Sequence, residues 1–204
     1  PDETLPYTAV TLSWAGGDGK LDPSQAGLAE LTSKALPRGT TAMTATELQD
    51  YLADRAASLD SSAGRNSFAL SAKFPTRFTD EILPVVRATL TEPAWDPDEL
   101  ERARQDQIAD IRRREDQPLG LAFRNLFPFL YKSGPYALLH QGTVKEVAGF
   151  SGADVQGFWA RQSMQPFVMA VAGEFDPEKI TAFANGLAKA LADSSAGYHY
   201  STPE

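Results

Sequence analysis

Residues 8–14 alternate Val10, Leu12 and Trp14 with Ala9, Thr11 and Ser13. That is the period-2 pattern of a strand with one face in a core. Two further β-type runs, 57–63 and 67–74, flank Gly64-Arg65-Asn66 and read as a hairpin. Residues 167–172 are a nearly continuous apolar run, the pattern of a strand buried on both faces. Between these strands the pattern is helical. Ser24 is placed to cap a helix reaching about Leu36, with Leu28, Leu31 and Ala35 on one stripe. Thr44 opens a capping box with Glu47. Residues 77–90 space Phe78, Ile82, Val85, Val86 and Leu90 as an amphipathic helix containing Pro84. Asp96 and Pro97 begin a long charged helix to about Asp116, with Asp98 and Glu99 at its positive end. Pro118 opens the next, through Leu121, Phe123, Leu126, Phe127 and Leu130. Residues 144–147 form a short helical turn, Ser151 caps a helix to about Arg161, and Asp176 caps the last, through Ile180, Phe183, Leu187 and Leu191. This order implies an α+β fold: one mixed, largely antiparallel sheet with helices packed on it, over residues 1–193. Residues 194–204 are polar and read as a linker or tail.

Composition removes whole classes of chemistry. A net charge of −8 argues against nucleic acid or an anionic membrane as partner. No apolar run reaches the roughly 18 residues of a membrane span. With no cysteine there is neither a disulfide nor a thiolate metal site, which suits cytosol and periplasm alike. The two histidines, His140 and His199, leave little for zinc. His140 reads as a hydrogen-bonded or solvent-facing loop residue, and His199 as part of the tail. Gly16-Gly17-Asp18-Gly19-Lys20 lacks the phosphate-cradle pattern and reads as a turn. Trp14 and Trp159 read as core. Phe123, Phe127, Phe129 and Tyr131 read as core or inter-domain packing. The charges of residues 101–114 read as a solvated helix face with i, i+4 pairs.

Several segments, in order, resemble one peptidase family. Pro93-Ala94-Trp95-Asp96-Pro97 and the residues after it look like the entry into that family's long ligand-bearing helix. Arg112-Arg113-Arg114-Glu115-Asp116-Gln117-Pro118 resembles its exit. Tyr131-Lys132-Ser133-Gly134-Pro135-Tyr136 and Gly142-Thr143-Val144 resemble its "Tyr-Gly-x-x-Pro-Tyr … Gly-Thr" segment, and Val171-Ala172-Gly173-Glu174-Phe175-Asp176 its "Gly-Asp-Phe-Asp" strand end. The family is that of insulysin, pitrilysin and the mitochondrial processing peptidase, the M16-type zinc metallopeptidases. The resemblance covers nearly the whole chain and implies their metallohydrolase fold.

Active members of the family carry Gly-x-x-His-x-x-Glu-His on a helix, so that two imidazoles four residues apart meet one zinc and the glutamate polarises water. In Gly27-Leu28-Ala29-Glu30-Leu31-Thr32-Ser33-Lys34 the two histidine positions hold Glu30 and Lys34, and the glutamate position holds Ser33. The third ligand position falls on Asp110. A lysine repels zinc, two carboxylates without imidazole make a poor zinc site, and Ser33 is no general base. Glu30 and Lys34, acid first at i, i+4, favour an ion pair, and Lys34 could bridge to Asp110. The resemblance thus implies a zinc-free, non-catalytic domain with no cofactor of its own and no catalytic residue. Its expected partner, as in a dimer of halves, is a catalytic half with an intact His-x-x-Glu-His that carries the zinc, the two enclosing a peptide substrate. The alternatives are a structural scaffold on the same fold with no proteolytic partner, and a self-sufficient enzyme using Glu30, Asp110 and a hard cation. The family analogy and the absent cysteines lean towards the periplasm.

Overall fold

The structure is a computed structural model that describes residues 6–195. Its centre is strand β1 (Tyr7–Ala15), flanked by β3 (Ser67–Pro75) and β4 (Phe167–Gly173), with β2 (Ser58–Ala63) outside β3. Every pairing is antiparallel; Thr11 sits opposite Ser71 on one side and Ala170 on the other. The expected sheet is therefore present, but among the described strands it is not mixed. The alternation read in β1 is borne out: Val10, Leu12 and Trp14 are buried, as are Phe68, Leu70, Ala72 and Phe74 beside them.

Eight α-helices accompany the four strands among the described residues: α1 (Leu28–Ala35), α2 (Ala45–Ala53), α3 (Thr79–Thr91), α4 (Pro97–Glu115), α5 (Pro118–Leu130), α6 (Val144–Gly149), α7 (Gly152–Ser163) and α8 (Pro177–Ser195). One core joins the buried sheet face to Leu28 and Leu31 of α1, Ile82 and Val86 of α3, Phe158 of α7 and Leu187 of α8. Trp14 meets Trp159 edge to face at 5.7 Å, and Phe68 lies 5.4 Å from Trp159. The Trp159 indole N–H donates to the Leu90 carbonyl at 3.0 Å, so the buried ring is satisfied.

Start signals were the most legible local feature. The Thr44–Glu47 box is formed, and Asp96 accepts from the N–H groups of Asp98 and Glu99. Ser151 pairs with Asp154, and Thr143 forms a further box with Glu146. Asp176 accepts from Glu178 and Lys179. Ser24 does not cap α1. It lies within a 3-10 turn, Pro23–Gln25, and α1 begins only after Gly27. Gly27 has φ 90°, and a Cβ there would stand 2.6 Å from the Gln141 carbonyl oxygen, so only glycine lets these two backbones meet.

Two other expectations fail for physical reasons. β4 is not buried on both faces. Its outward residues Val168, Ala170 and Ala172 are exposed, Val168 at 72%, and among the described strands it pairs with β1 alone. Small Ala170 and Ala172 at its outward positions mimicked a two-sided strand. Of the two readings of the α5 aromatics, core packing does not hold, since no α5 residue is buried and Phe129 is 75% exposed; that leaves packing against another domain. Helix α8 continues to Ser195; the rest of the expected tail, with His199, lies outside the described residues.

The difference between the faces of the sheet is measurable. Leu12→Ala should cost about 2–5 kcal/mol in urea unfolding, the usual penalty for a buried leucine. Val168→Ser should stay within about 0.5 kcal/mol of the parent. Equal losses would contradict this one-sided burial.

Candidate functional site

Helix α1 carries Glu30, Ser33 and Lys34, and Lys34 reaches across to α4. The Lys34 ammonium donates to Asp110 Oδ2 at 2.9 Å and stands 3.8 Å from Glu30 Oε1. Arg113, one turn on from Asp110, holds the other carboxylate oxygen at 3.0 Å. Ser33 is buried, and its hydroxyl donates to the Glu30 carbonyl at 2.8 Å, turned back into its own helix. The structure therefore brings together Glu30, Lys34 and Asp110 as the sequence implied, and leaves Ser33 with a backbone role.

The charged group extends further than the sequence reading. The loop after α5 carries His140 to the far side of Glu30. Its Nδ1 donates to Asp18 Oδ2 at 2.7 Å, and its Nε2 lies 3.7 Å from Glu30 Oε2. Asp18 is 1% exposed and comes from the glycine turn after β1. The result is a continuous row: Asp18, His140, Glu30, Lys34, Asp110, Arg113. Three carboxylates face two fixed cations, and the His140 imidazole lies between Asp18 and Glu30. Burial disfavours the imidazolium, but the Asp18 hydrogen bond, with the charges of Asp18 and Glu30, outweighs burial and raises the His140 pKa above the ordinary imidazole value. The Lys34 hydrogen bond, opposed by burial and helped by Arg113 and Arg114, holds Asp110 below the usual carboxylate range.

The backbone holds this row together. Gln107 of α4 is buried and donates from Nε2 to the carbonyls of Gly27 and Gln141, both at 3.0 Å, clasping the start of α1 to the His140 loop. Asp18 is fixed from the other side. Its N–H donates to the Gly64 carbonyl at the hairpin turn, and Gln162 of α7 accepts from Gly17 N–H while donating to the Ala15 carbonyl. The seam continues through Arg38, which reaches Glu99 at 3.3 Å and Asp106 at 2.6 Å. The charged face of α4 is thus partly a contact with α1, and its internal ion pairs run at i, i+3.

This residue set does not fit zinc. The place a cation would take between Glu30 and Asp110 holds an ammonium, and His140 is the one imidazole of the row. The same ammonium excludes a hard cation, which would need both carboxylates free. Among the described residues, no group of three or more histidine or acidic side chains is arranged to hold a metal ion.

Comparison with known proteins follows the same lines. No family model matches the chain. A non-peptidase homologue, YmxG, of Helicobacter pylori is 24% identical over 157 residues, 77% of this chain and 36% of the relative. A peptidase M16 inactive domain from Pseudomonas fluorescens superposes with a TM-score of 0.82 at 21% identity, covering 93% of this chain and 46% of that one. This is the M16 peptidase-domain fold. A protease from Helicobacter pylori matches with a TM-score of 0.80 at 17% identity, over 91% of this chain and 45% of that one. The chain spans less than half the length of each of these three proteins. No helix among its described residues is long and apolar enough to cross a membrane.

Sequence reasoning missed Asp18 and the partners of His140. The available signals were weak: an acid inside a glycine turn, and one of only two histidines, 122 residues apart.

The two titrations have opposite signs. A histidine with a raised folded pKa stabilises fully below its unfolded value of about 6.5, and loses that contribution as pH rises through the folded value. His140→Gln should therefore flatten the fall in urea stability as pH rises above about 6.5. Asp110, depressed in the fold, stabilises above about pH 4 and loses its contribution as pH falls through the folded value. Lys34→Met should cost about 1–3 kcal/mol at neutral pH and weaken this acid-side dependence. Unchanged pH profiles in both variants would contradict the described row.

Proposed function

We propose that this chain is a non-catalytic M16-type domain that completes the peptide-binding chamber of a metalloendopeptidase, with the zinc on a partner half. The observation that carries the reading is Lys34. Its ammonium occupies the cation position of an otherwise retained scaffold, and bonds the residue at the third ligand position. A domain that had merely lost its ligands would leave two carboxylates facing each other. Here the charges are re-paired, which keeps α1 and α4 together without a metal.

Several observations support a supporting rather than an empty role. The similar Pseudomonas fluorescens structure is itself described as an inactive M16 domain, and the similar Helicobacter protein as a non-peptidase homologue. The relatives are about twice as long or more, so a chamber would need more than this chain. We place the complex in the periplasm on the family analogy.

The test has two arms. Calorimetric titration of the chain with zinc at neutral pH should show no stoichiometric binding; sub-micromolar binding would overturn the non-catalytic reading. Mixing the chain with an M16 half bearing an intact His-x-x-Glu-His should raise metal-dependent peptide hydrolysis about tenfold or more, as expected if it supplies part of the substrate surface. Full activity of the catalytic half alone, with no association, would leave the scaffold role instead.

A further inference from the structure

A pocket of about 400 Å³ opens beside His140, between the tip of the β2–β3 hairpin, the last turn of α4 and α5. In a chain of net charge −8 its walls are cationic: Arg65, Arg114 and Arg124, with Phe123 and Phe127 among them. Of the three arginines, only Arg124 has a carboxylate partner among the described ion pairs, Glu115 at 2.6 Å; its other terminal nitrogen donates to the Gly142 carbonyl at 3.1 Å. Arg114 is exposed at the mouth, and its charge acts on Asp110. The acids behind His140 are Asp18 and Glu30, and both are engaged by it.

Arg65 is held in place. One terminal nitrogen donates to the carbonyls of Pro135 and Leu138, at 2.8 and 3.1 Å. Its guanidinium lies 4.7 Å from the Phe127 ring and 5.4 Å from the Tyr136 ring. Tyr136 is in turn fixed by Asn66, 3.0 Å from its hydroxyl. A guanidinium anchored at one corner, with no other hydrogen bond from its fork among the described residues, is a pre-set receptor for a planar anion. Beside it, Phe123 is 57% exposed on a helix that buries none of its residues. Cationic fork and aromatic surface together select a ligand with one anionic group next to an apolar one. A polyanion would have to approach against the net charge of the chain.

We propose that this pocket is a subsite for a peptide carboxylate flanked by an apolar side chain, with Arg65 and Arg114 taking the carboxylate and Phe123 and Phe127 the apolar group. The proposal rests on the reading of this domain as a chamber wall, and it names a substrate class for that wall. The volume suits one or two residues, at the lower end of the range of small-ligand sites.

Calorimetry on this chain alone tests it, so the outcome does not depend on whether a catalytic half restores hydrolysis. Three probes are needed: acetyl-Ala-Ala-Phe with a free carboxylate, its C-terminal amide, and acetyl-Ala-Asp-Phe-amide. The free acid should bind about tenfold or more tightly than the plain amide, the discrimination expected of a charge-assisted fork. The aspartyl peptide separates the two sources: binding like the free acid assigns a side-chain carboxylate, and binding like the plain amide assigns the chain terminus. Arg114→Gln should weaken the free acid about fivefold or more with an unchanged melting temperature, since Arg114 is exposed. Arg65→Lys, which keeps the charge and loses the planar fork, should weaken it as well. Equal binding of acid and amide, no effect of either variant, or no binding of any probe would overturn the proposal.

Discussion

The ion pair between Lys34 and Asp110 is the contact on which the reading of this molecule turns. It joins a short helix to a long one at the point where, on the family resemblance, a metal would do so. A 2.9 Å charge-assisted hydrogen bond, about a quarter exposed on each side, is no strong brace by itself. Its weight comes from what lies on either side. Arg113 shares Asp110, Glu30 shares Lys34, and His140 ties Glu30 to the buried Asp18. Removing one member leaves a neighbouring charge in partial burial without its partner, which costs more than the pair itself contributes.

The row also explains why two loops distant in sequence are held so closely. A buried carboxylate such as Asp18 is costly unless bonded. Its partner must therefore be delivered accurately, and the close approach of residues 26–27 to residues 141–142 does this. Gln107 fastens the approach with two hydrogen bonds from one amide nitrogen. Polar groups of α4 thus act where apolar packing is thin: the small cluster of Ile108, Ile111 and Val147 is separate from the main core.

Much of this architecture was legible in the sequence, because its signals are local. Val10, Leu12 and Trp14 mark the core face of β1 by spacing alone. Thr44, Asp96 and Ser151 mark helix starts by the chemistry of a cap. Glu30, Lys34 and Asp110 could be joined only because the family resemblance supplied the register between two helices. What stayed hidden depends on neighbours. Whether the run from Phe167 to Ala172 is covered on one side or two is decided by what packs on the outer face of the sheet. Whether the apolar residues of α5 are core or surface is decided by what α5 packs on. The Asp18–His140 bond joins residues 122 positions apart and leaves no periodic trace.

The same network bears on how firmly the non-metal state is built in. Replacing Glu30 and Lys34 by histidines, and Ser33 by glutamate, would restore the side chains of a zinc motif on α1. It would not restore a site. Glu30 is the charge that His140 faces at 3.7 Å, and Lys34 is the partner of Asp110; both losses leave ionised groups behind. A glutamate at position 33 would have to leave the space of a small hydroxyl that is 2% exposed. Zinc would also meet an aspartate at position 110 that is already held by Arg113. The domain is therefore organised around paired charges rather than around a dormant metal centre.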